Sequence, residues 1–307
     1  MNEQTLPRRT AVDAPRPAWR PAPAIVASLA WHVALGAAAL LYPAGWPWAL
    51  GGIAANHALL TAAGLWPRSR LLGPNLTRLP AAAAARGWIA LTFDDGPDPE
   101  VTPRVLDLLD AHGARASFFC IGYRARQHPA LVREIVARGH RVENHGDAHA
   151  KLFATYGYRR MRADIETAQH TLADITGQPP CFFRPTAGLR NPLLEPVLQR
   201  LNLRLATWTR RGFDAVSSDP QRVLQRLRRR LAAGDILLLH DGSPARTQDG
   251  TPVSLTVLPP LLTALRQAGL QSVSLAEALR EATVAQPAAA ARNLQTTPQQ
   301  TERAQFH

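Results

Sequence analysis

Two aspartates stand side by side in Thr92-Phe93-Asp94-Asp95-Gly96-Pro97, at the end of the apolar run Trp88-Ile89-Ala90-Leu91. Like charges held this close resist joint ionisation unless a cation lies between or beside them. Turn chemistry is the plain alternative, since Asp-Gly-Pro turns well and one acid can cap a helix. A second feature bears on the choice. His145 and His149 are spaced i and i+4 in Glu143-Asn144-His145-Gly146-Asp147-Ala148-His149. At that spacing both imidazoles can reach one metal. One carboxylate plus two histidines leaves positions open for water and substrate, as catalytic zinc requires. The same donor set also fits non-haem iron.

Three further residues lie at the ends of strand-like stretches. Arg184 follows Cys181-Phe182-Phe183 and could pin an ionised acid, or make a surface ion pair. His240 closes Asp235-Ile236-Leu237-Leu238-Leu239 and could serve as a general acid, or as a structural histidine. Asp214, after Thr207-Trp208-Thr209-Arg210-Arg211-Gly212-Phe213, could orient a histidine or cap a turn. The coincidence of five such features at run ends says more than any one spacing.

Strand-like and amphipathic stretches alternate around these residues. Strands are expected near 88–93, 115–121, 140–143, 181–183, 203–208, 235–239 and 271–273. Helices are expected near 101–112, 129–138, 158–176, 191–201, 219–233, 255–268 and 275–282. This alternation implies a parallel α/β sheet, open or closed into a barrel, with chemistry at the carboxyl ends of the strands.

The amino-terminal part is different. Residues 1–23 are polar, Pro-rich and carry Arg8, Arg9, Arg16 and Arg20, as a disordered tail would. Two uncharged apolar runs, 24–41 and 49–66, flank the aromatic stretch Tyr42-Pro43-Ala44-Gly45-Trp46-Pro47-Trp48. Their lengths reach the lower limit for spanning helices, and the aromatics suit a membrane interface. A second run directly after the first, with no clear cleavage site between, disfavours a signal peptide. A soluble helical hairpin is the alternative. Arginines lie before the first run and after the second, none between, so both ends are expected in the cytoplasm. The expected organisation is a tail over 1–23, two transmembrane helices over 24–66, a linker over 67–85, a catalytic domain over 86–282 and a second disordered tail over 283–307.

Net charge is +12, yet the arginines are scattered and not interleaved with aromatics, so nucleic acid is not an expected partner. The two cysteines, Cys120 and Cys181, sit in apolar runs and read as buried free thiols.

Taken in order, these motifs resemble the NodB-type polysaccharide deacetylases, carbohydrate esterase family 4. Thr92 to Pro97 matches the family's first motif and His145 to His149 its His-x-x-x-His motif. Arg184-Pro185-Thr186-Ala187-Gly188, Trp208 to Asp214 and Leu238-Leu239-His240-Asp241 are similar to the third, fourth and fifth. The resemblance covers roughly 86–282. It implies a distorted (β/α) barrel and a divalent metal, usually zinc, on Asp95, His145 and His149. It implies Asp94 as general base, Arg184 holding it ionised, and His240, steadied by Asp214, protonating the departing amine. The backbone N–H of Ala187 would help stabilise the oxyanion and Leu238 would line the acetyl pocket.

Three positions depart from the family pattern. Gly146 replaces the usual Ser or Thr, with the expected loss of a loop-bracing hydroxyl. Ala187 replaces an aromatic wall of the groove, and Ala215 stands where Trp often follows the fourth-motif Asp. The open groove and the hairpin favour an N-acetyl or N-formyl amino sugar on a glycolipid or lipid-linked saccharide, processed at the cytoplasmic face of an inner membrane. The alternatives are an extracytoplasmic polysaccharide or peptidoglycan deacetylase, and a non-catalytic metal or sugar-binding module.

Overall fold

The computed structural model describes residues 18–281. The carboxyl-terminal tail and most of the amino-terminal one lie outside the described residues. Eight strands form one sheet: β1 (Trp88–Asp94), β2 (Ala116–Cys120), β3 (Arg141–Asn144), β4 (Phe182–Phe183), β5 (Arg204–Leu205), β6 (Arg210–Arg211), β7 (Ile236–His240) and β8 (Gln271–Ser272). Their order is β5-β4-β3-β2-β1-β7-β6, with β8 beside the start of β1, and every pairing is parallel. The result is a curled half-barrel. Ten helices accompany it: α1 (Pro23–Leu41), α2 (Trp46–Leu65), α3 (Ala81–Ala85), α4 (Thr102–Ala111), α5 (Gly122–Gln127), α6 (Pro129–Ala137), α7 (Tyr158–Thr176), α8 (Leu194–Arg200), α9 (Pro220–Arg228) and α10 (Val253–Gln267). A further helical stretch begins at 275 and runs to the last described residue.

Strand alternation explains how the sheet aims its side chains. Successive side chains of a strand point to opposite faces. Ile89, Leu91 and Phe93 of β1 pack into the outer core with α4, α6 and α10, beside Phe118 of β2 and Leu237 and Leu239 of β7. Ala90 packs into the inner core with Phe119, Phe182, Trp208, Ile236 and Leu238. By the same period Thr92 and Asp94 follow Ala90 inward, Arg184 follows Phe182, and His240 follows Leu238. Both faces of β1 are covered, which suits an unbroken apolar run in a parallel strand.

Helix ends follow their sequence signals. Asp219 caps α9 by accepting from the backbone N–H groups of Gln221 and Arg222. Gly177 ends α7 in a left-handed conformation, φ 68°. Three elements were not expected from the sequence: β6, the pair Arg210–Arg211; α5, a short helix directly after β2; and α3, within the stretch expected as a linker.

The amino-terminal helices pack on each other. Asn56 Nδ2 donates to Ser28 Oγ at 2.7 Å, Trp31 Nε1 donates to the Gly52 carbonyl at 3.1 Å, and the His32 and His57 rings meet edge-on at 5.1 Å. By length and composition α1 is long and apolar enough to cross a membrane; α2, with Asn56 and His57 at its centre, falls short of the same test. The 67–85 stretch is folded along the domain. Leu76 bridges Ala206 in parallel, and Leu79 N donates to the Gly234 carbonyl at 2.8 Å.

Candidate active site

The strand ends bring Asp94, Asp95, His145, His149, Arg184, Asp214 and His240 together. Asp94 and His240 are register partners across β1 and β7. Arg184 is fully buried, and its Nη1 donates to Asp94 Oδ1 at 2.5 Å. Its other donors are placed too: Nη1 to Thr92 Oγ1 at 3.0 Å, Nε to the Ala206 carbonyl at 3.1 Å, and Nη2 to the Thr207 carbonyl at 2.8 Å. The guanidinium also lies 3.9 Å over the Phe119 ring. A buried charge is tolerated when it is paired and its hydrogen bonds are satisfied. Thr92, which in turn donates to the Leu237 carbonyl at 2.9 Å, is a support that carried no signal beyond its place in the motif.

Asp95 turns the other way, with φ 73°. Its Oδ1 is 3.1 Å from His145 Nε2 and 3.0 Å from His149 Nε2. Burial opposes ionisation of Asp95, but the two imidazole contacts outweigh it and hold the carboxyl well below the usual range. The three residues can offer ligand atoms that all lie within 4.8 Å of one another. His145 Nδ1 donates to the Arg184 carbonyl at 2.7 Å, which turns Nε2 toward Asp95 as the nitrogen that can bind a metal once it gives up its proton. One carboxylate oxygen and two imidazole nitrogens converging in this way form a donor set that fits a divalent metal.

The His240 side of the cluster is equally defined. Asp214 is buried. Its Oδ1 is 2.9 Å from His240 Nδ1, and its Oδ2 accepts from the His240 backbone N–H at 2.7 Å. Burial pulls the His240 pKa down, but the charge and hydrogen bond of Asp214 prevail, helped by Asp94 and Asp95, and raise it to about 9. His240 therefore carries its proton at neutral pH, as a general acid must. An Asp214→Asn variant is expected to move the alkaline limb of the kcat–pH profile from near 9 toward neutrality. An unmoved limb would show that Asp214 does not set the histidine's proton affinity.

Leu238 lies one alternation before His240 on the inner face and is buried. Ala187 is exposed in a left-handed conformation, φ 55° and ψ 8°. The expected loss of a brace at Gly146 is compensated in the structure. Asp164, on α7, accepts from the backbone N–H groups of Asp147 at 3.2 Å and Ala148 at 3.0 Å, and Asn144 Oδ1 accepts from Gly146 N at 2.8 Å. Gly146 has φ 79°, and a Cβ there would fall 2.7 Å from Asp164 Oδ2. Gly146→Ser, although it restores the family's usual residue, is expected to cost about 1–2 kcal/mol of stability through the left-handed backbone alone. Thermal unfolding checks this, and an equally stable variant would contradict it.

Among the described residues four more acids are buried, Glu143, Glu195, Asp235 and Asp241, and two of them adjoin the site. Asp241 Oδ2 accepts from Thr102 Oγ1 at 2.6 Å, and burial, with the Asp95 charge adding to it, raises its pKa to about 7. It sits against Gly96, where a Cβ would fall 2.2 Å from Asp241 Oδ2. Glu143 Oε2 accepts from the backbone N–H groups of Cys181 and Phe182 at 2.8 Å, tying β3 to β4 below the histidine loop.

A curled parallel sheet with these groups at its strand ends belongs to the α/β enzymes that place chemistry on the carboxyl side of the strands. The chain belongs to the polysaccharide deacetylase family, whose model matches residues 82–206. A peptidoglycan-N-acetylglucosamine deacetylase of Bacillus cereus is 32% identical over 195 residues, covering 62% of this chain and 88% of the relative. A chitooligosaccharide deacetylase of Azorhizobium caulinodans is 33% identical over 157 residues, covering 51% of this chain and 74% of the relative. Among solved structures, a family 4 carbohydrate esterase from Streptomyces lividans in complex with acetate aligns with a TM-score of 0.55 at 32% identity, covering 61% of this chain and 91% of that one. The protein is thus a hydrolase acting on amide C–N bonds, a polysaccharide N-deacetylase by family.

Proposed function

We propose that the protein is a metal-dependent N-deacetylase of an N-acylated amino sugar carried on a lipid. The observation that carries the lipid linkage is the union of α2 with the site. Arg190 N donates to the Gly64 carbonyl at 3.1 Å, so the end of the helical hairpin is joined to the loop that holds Ala187. Trp19 and Trp66 are exposed at one end of the hairpin, and Tyr42, Trp46 and Trp48 at the other, as two interface belts would require. At 1.5 Å per residue the 19 residues of α1 span about 28 Å, close to the thickness of a bilayer's hydrocarbon core. The hairpin over 24–66 is read as two membrane-crossing helices with both ends in the cytoplasm, followed by the catalytic domain over 86–282.

Asp95, His145 and His149 would hold the ion, zinc being the ion this donor set suits best. A divalent cation held there supplies Lewis acidity, acidifying water and polarising a carbonyl. Asp94, kept beside Arg184, accepts a proton from the attacking water. The water oxygen bonds to the acetamide carbon, and the backbone N–H of Ala187 faces the developing oxyanion. His240 then donates its proton to the nitrogen as the C–N bond breaks, leaving acetate and a free amine. Leu238 lines the space for the acyl methyl.

A peptidoglycan or extracytoplasmic polysaccharide substrate is the second reading, favoured by the activities for which the relatives are named. Mass spectrometry of lipid extracts from cells with and without the active protein separates the two. Loss of one acetyl group from a glycolipid supports the first reading, and a change confined to cell-wall sugars refutes it. Chelation is expected to abolish turnover and added zinc to restore it. Turnover that survives chelation would rule out the metal.

A further inference from the structure

Beyond Leu71, five large apolar side chains of the described residues are exposed: Tyr123, Leu152, Leu193, Phe213 and Val216. Single exposed apolar residues need no explanation. Their distribution does, because all five lie in segments that leave the carboxyl ends of strands. Tyr123 follows β2, Leu152 follows the histidine loop after β3, and Leu193 follows the Ala187 loop after β4. Phe213 and Val216 flank Asp214 after β6. Among the described residues, the opposite end of the sheet exposes none.

Two further observations concern the same end. The hairpin joins the domain there: Gly64 meets Arg190, Pro67 lies against Gly188, and Trp66 between them is exposed. Cations are interspersed with the apolar side chains. Lys151, the chain's single lysine, precedes Leu152, and Arg211 and Arg226 lie 5.0 and 5.3 Å from the Phe213 ring. Long basic side chains beside apolar ones suit the headgroup layer of an anionic bilayer.

We infer that the mouth of the active site is a membrane-docking surface, whose rim enters the headgroup layer of the bilayer crossed by α1 and α2. The inference rests on the reading of that hairpin as membrane-crossing and deepens the lipid-linked reading of the substrate. The acylated sugar is then met at the lipid surface, without leaving it. A rim built to stack sugars is the competing explanation, but Leu152, Leu193 and Val216 offer no ring face to a sugar.

The test uses the full chain in vesicles of phosphatidylethanolamine and phosphatidylglycerol, with and without spin-labelled lipid. An environment-sensitive fluorophore is attached singly at Leu152→Cys, Val216→Cys, Gln178→Cys on the opposite end, and Val33→Cys in α1. Cys120 and Cys181 are buried, so the introduced thiol is the one that reacts. Fluorescence loss at 152, 216 and 33 but not at 178 is the expected result. Loss at 33 with none at 152 and 216, or equal loss at 178, overturns the docking surface and leaves the membrane reading standing. No loss at 33 overturns both.

Discussion

Asp94→Asn is expected to abolish turnover while the folded protein still takes up its metal. The substitution preserves shape and a hydrogen-bond acceptor for Arg184 but removes the group proposed to accept the proton from water. Loss of a positioned general base typically costs 10²–10⁴-fold in rate, so kcat should fall by about that factor. Asp95, His145 and His149 are untouched, so metal content measured on the purified variant should equal that of the unaltered protein. Arg184 keeps three other acceptors, Thr92 Oγ1 and the Ala206 and Thr207 carbonyls, so the fold should survive. Retained turnover would reassign the base. Lost metal would show that the two aspartates do not divide their roles as described.

The second large effect is structural as well as catalytic. Arg184→Met should lower the unfolding free energy by about 3–5 kcal/mol, the usual cost of leaving one partner of a buried ion pair alone. Asp94 is 4% exposed and would lose its 2.5 Å partner, and the Thr207 and Ala206 carbonyls would lose donors. The double variant Arg184→Met with Asp94→Asn should be less destabilised than the two single losses added together, because the stranded charge is gone. Denaturant unfolding of the four proteins measures this. Strict additivity would mean that the pair is not energetically coupled.

These two residues also show how far the sequence reaches. The side-by-side aspartates, the spaced histidines and the strand-closing Arg184 and His240 were readable because each sits where an expected strand stops. The period of a strand then fixes which face each occupies. Asp94, Arg184 and His240 share the inner face because Ala90, Phe182 and Leu238 do. What was not readable depends on contacts between distant segments. Asp164 braces the Gly146 loop from 17 residues away, and Asp241 meets Thr102 across 139. Gly146 therefore looked like a lost hydroxyl, when its missing side chain makes room for a carboxylate. β6 escaped notice because two arginines show no period and pair only through the neighbouring β7. At the amino terminus, composition marked two apolar runs, while the Ser28–Asn56 and His32–His57 contacts show how their polar residues are used between the helices.

The most direct measurement is acetate release by the purified full chain, reconstituted in lipid vesicles and loaded with zinc. It should be offered lipid-linked N-acetylglucosamine and, separately, chitooligosaccharides, with the Asp94→Asn protein run in parallel. Acetate released from the lipid-linked sugar, with little from the free oligosaccharides and none in the variant, is the predicted result. Release from chitooligosaccharides alone, or release that the variant matches, would contradict it.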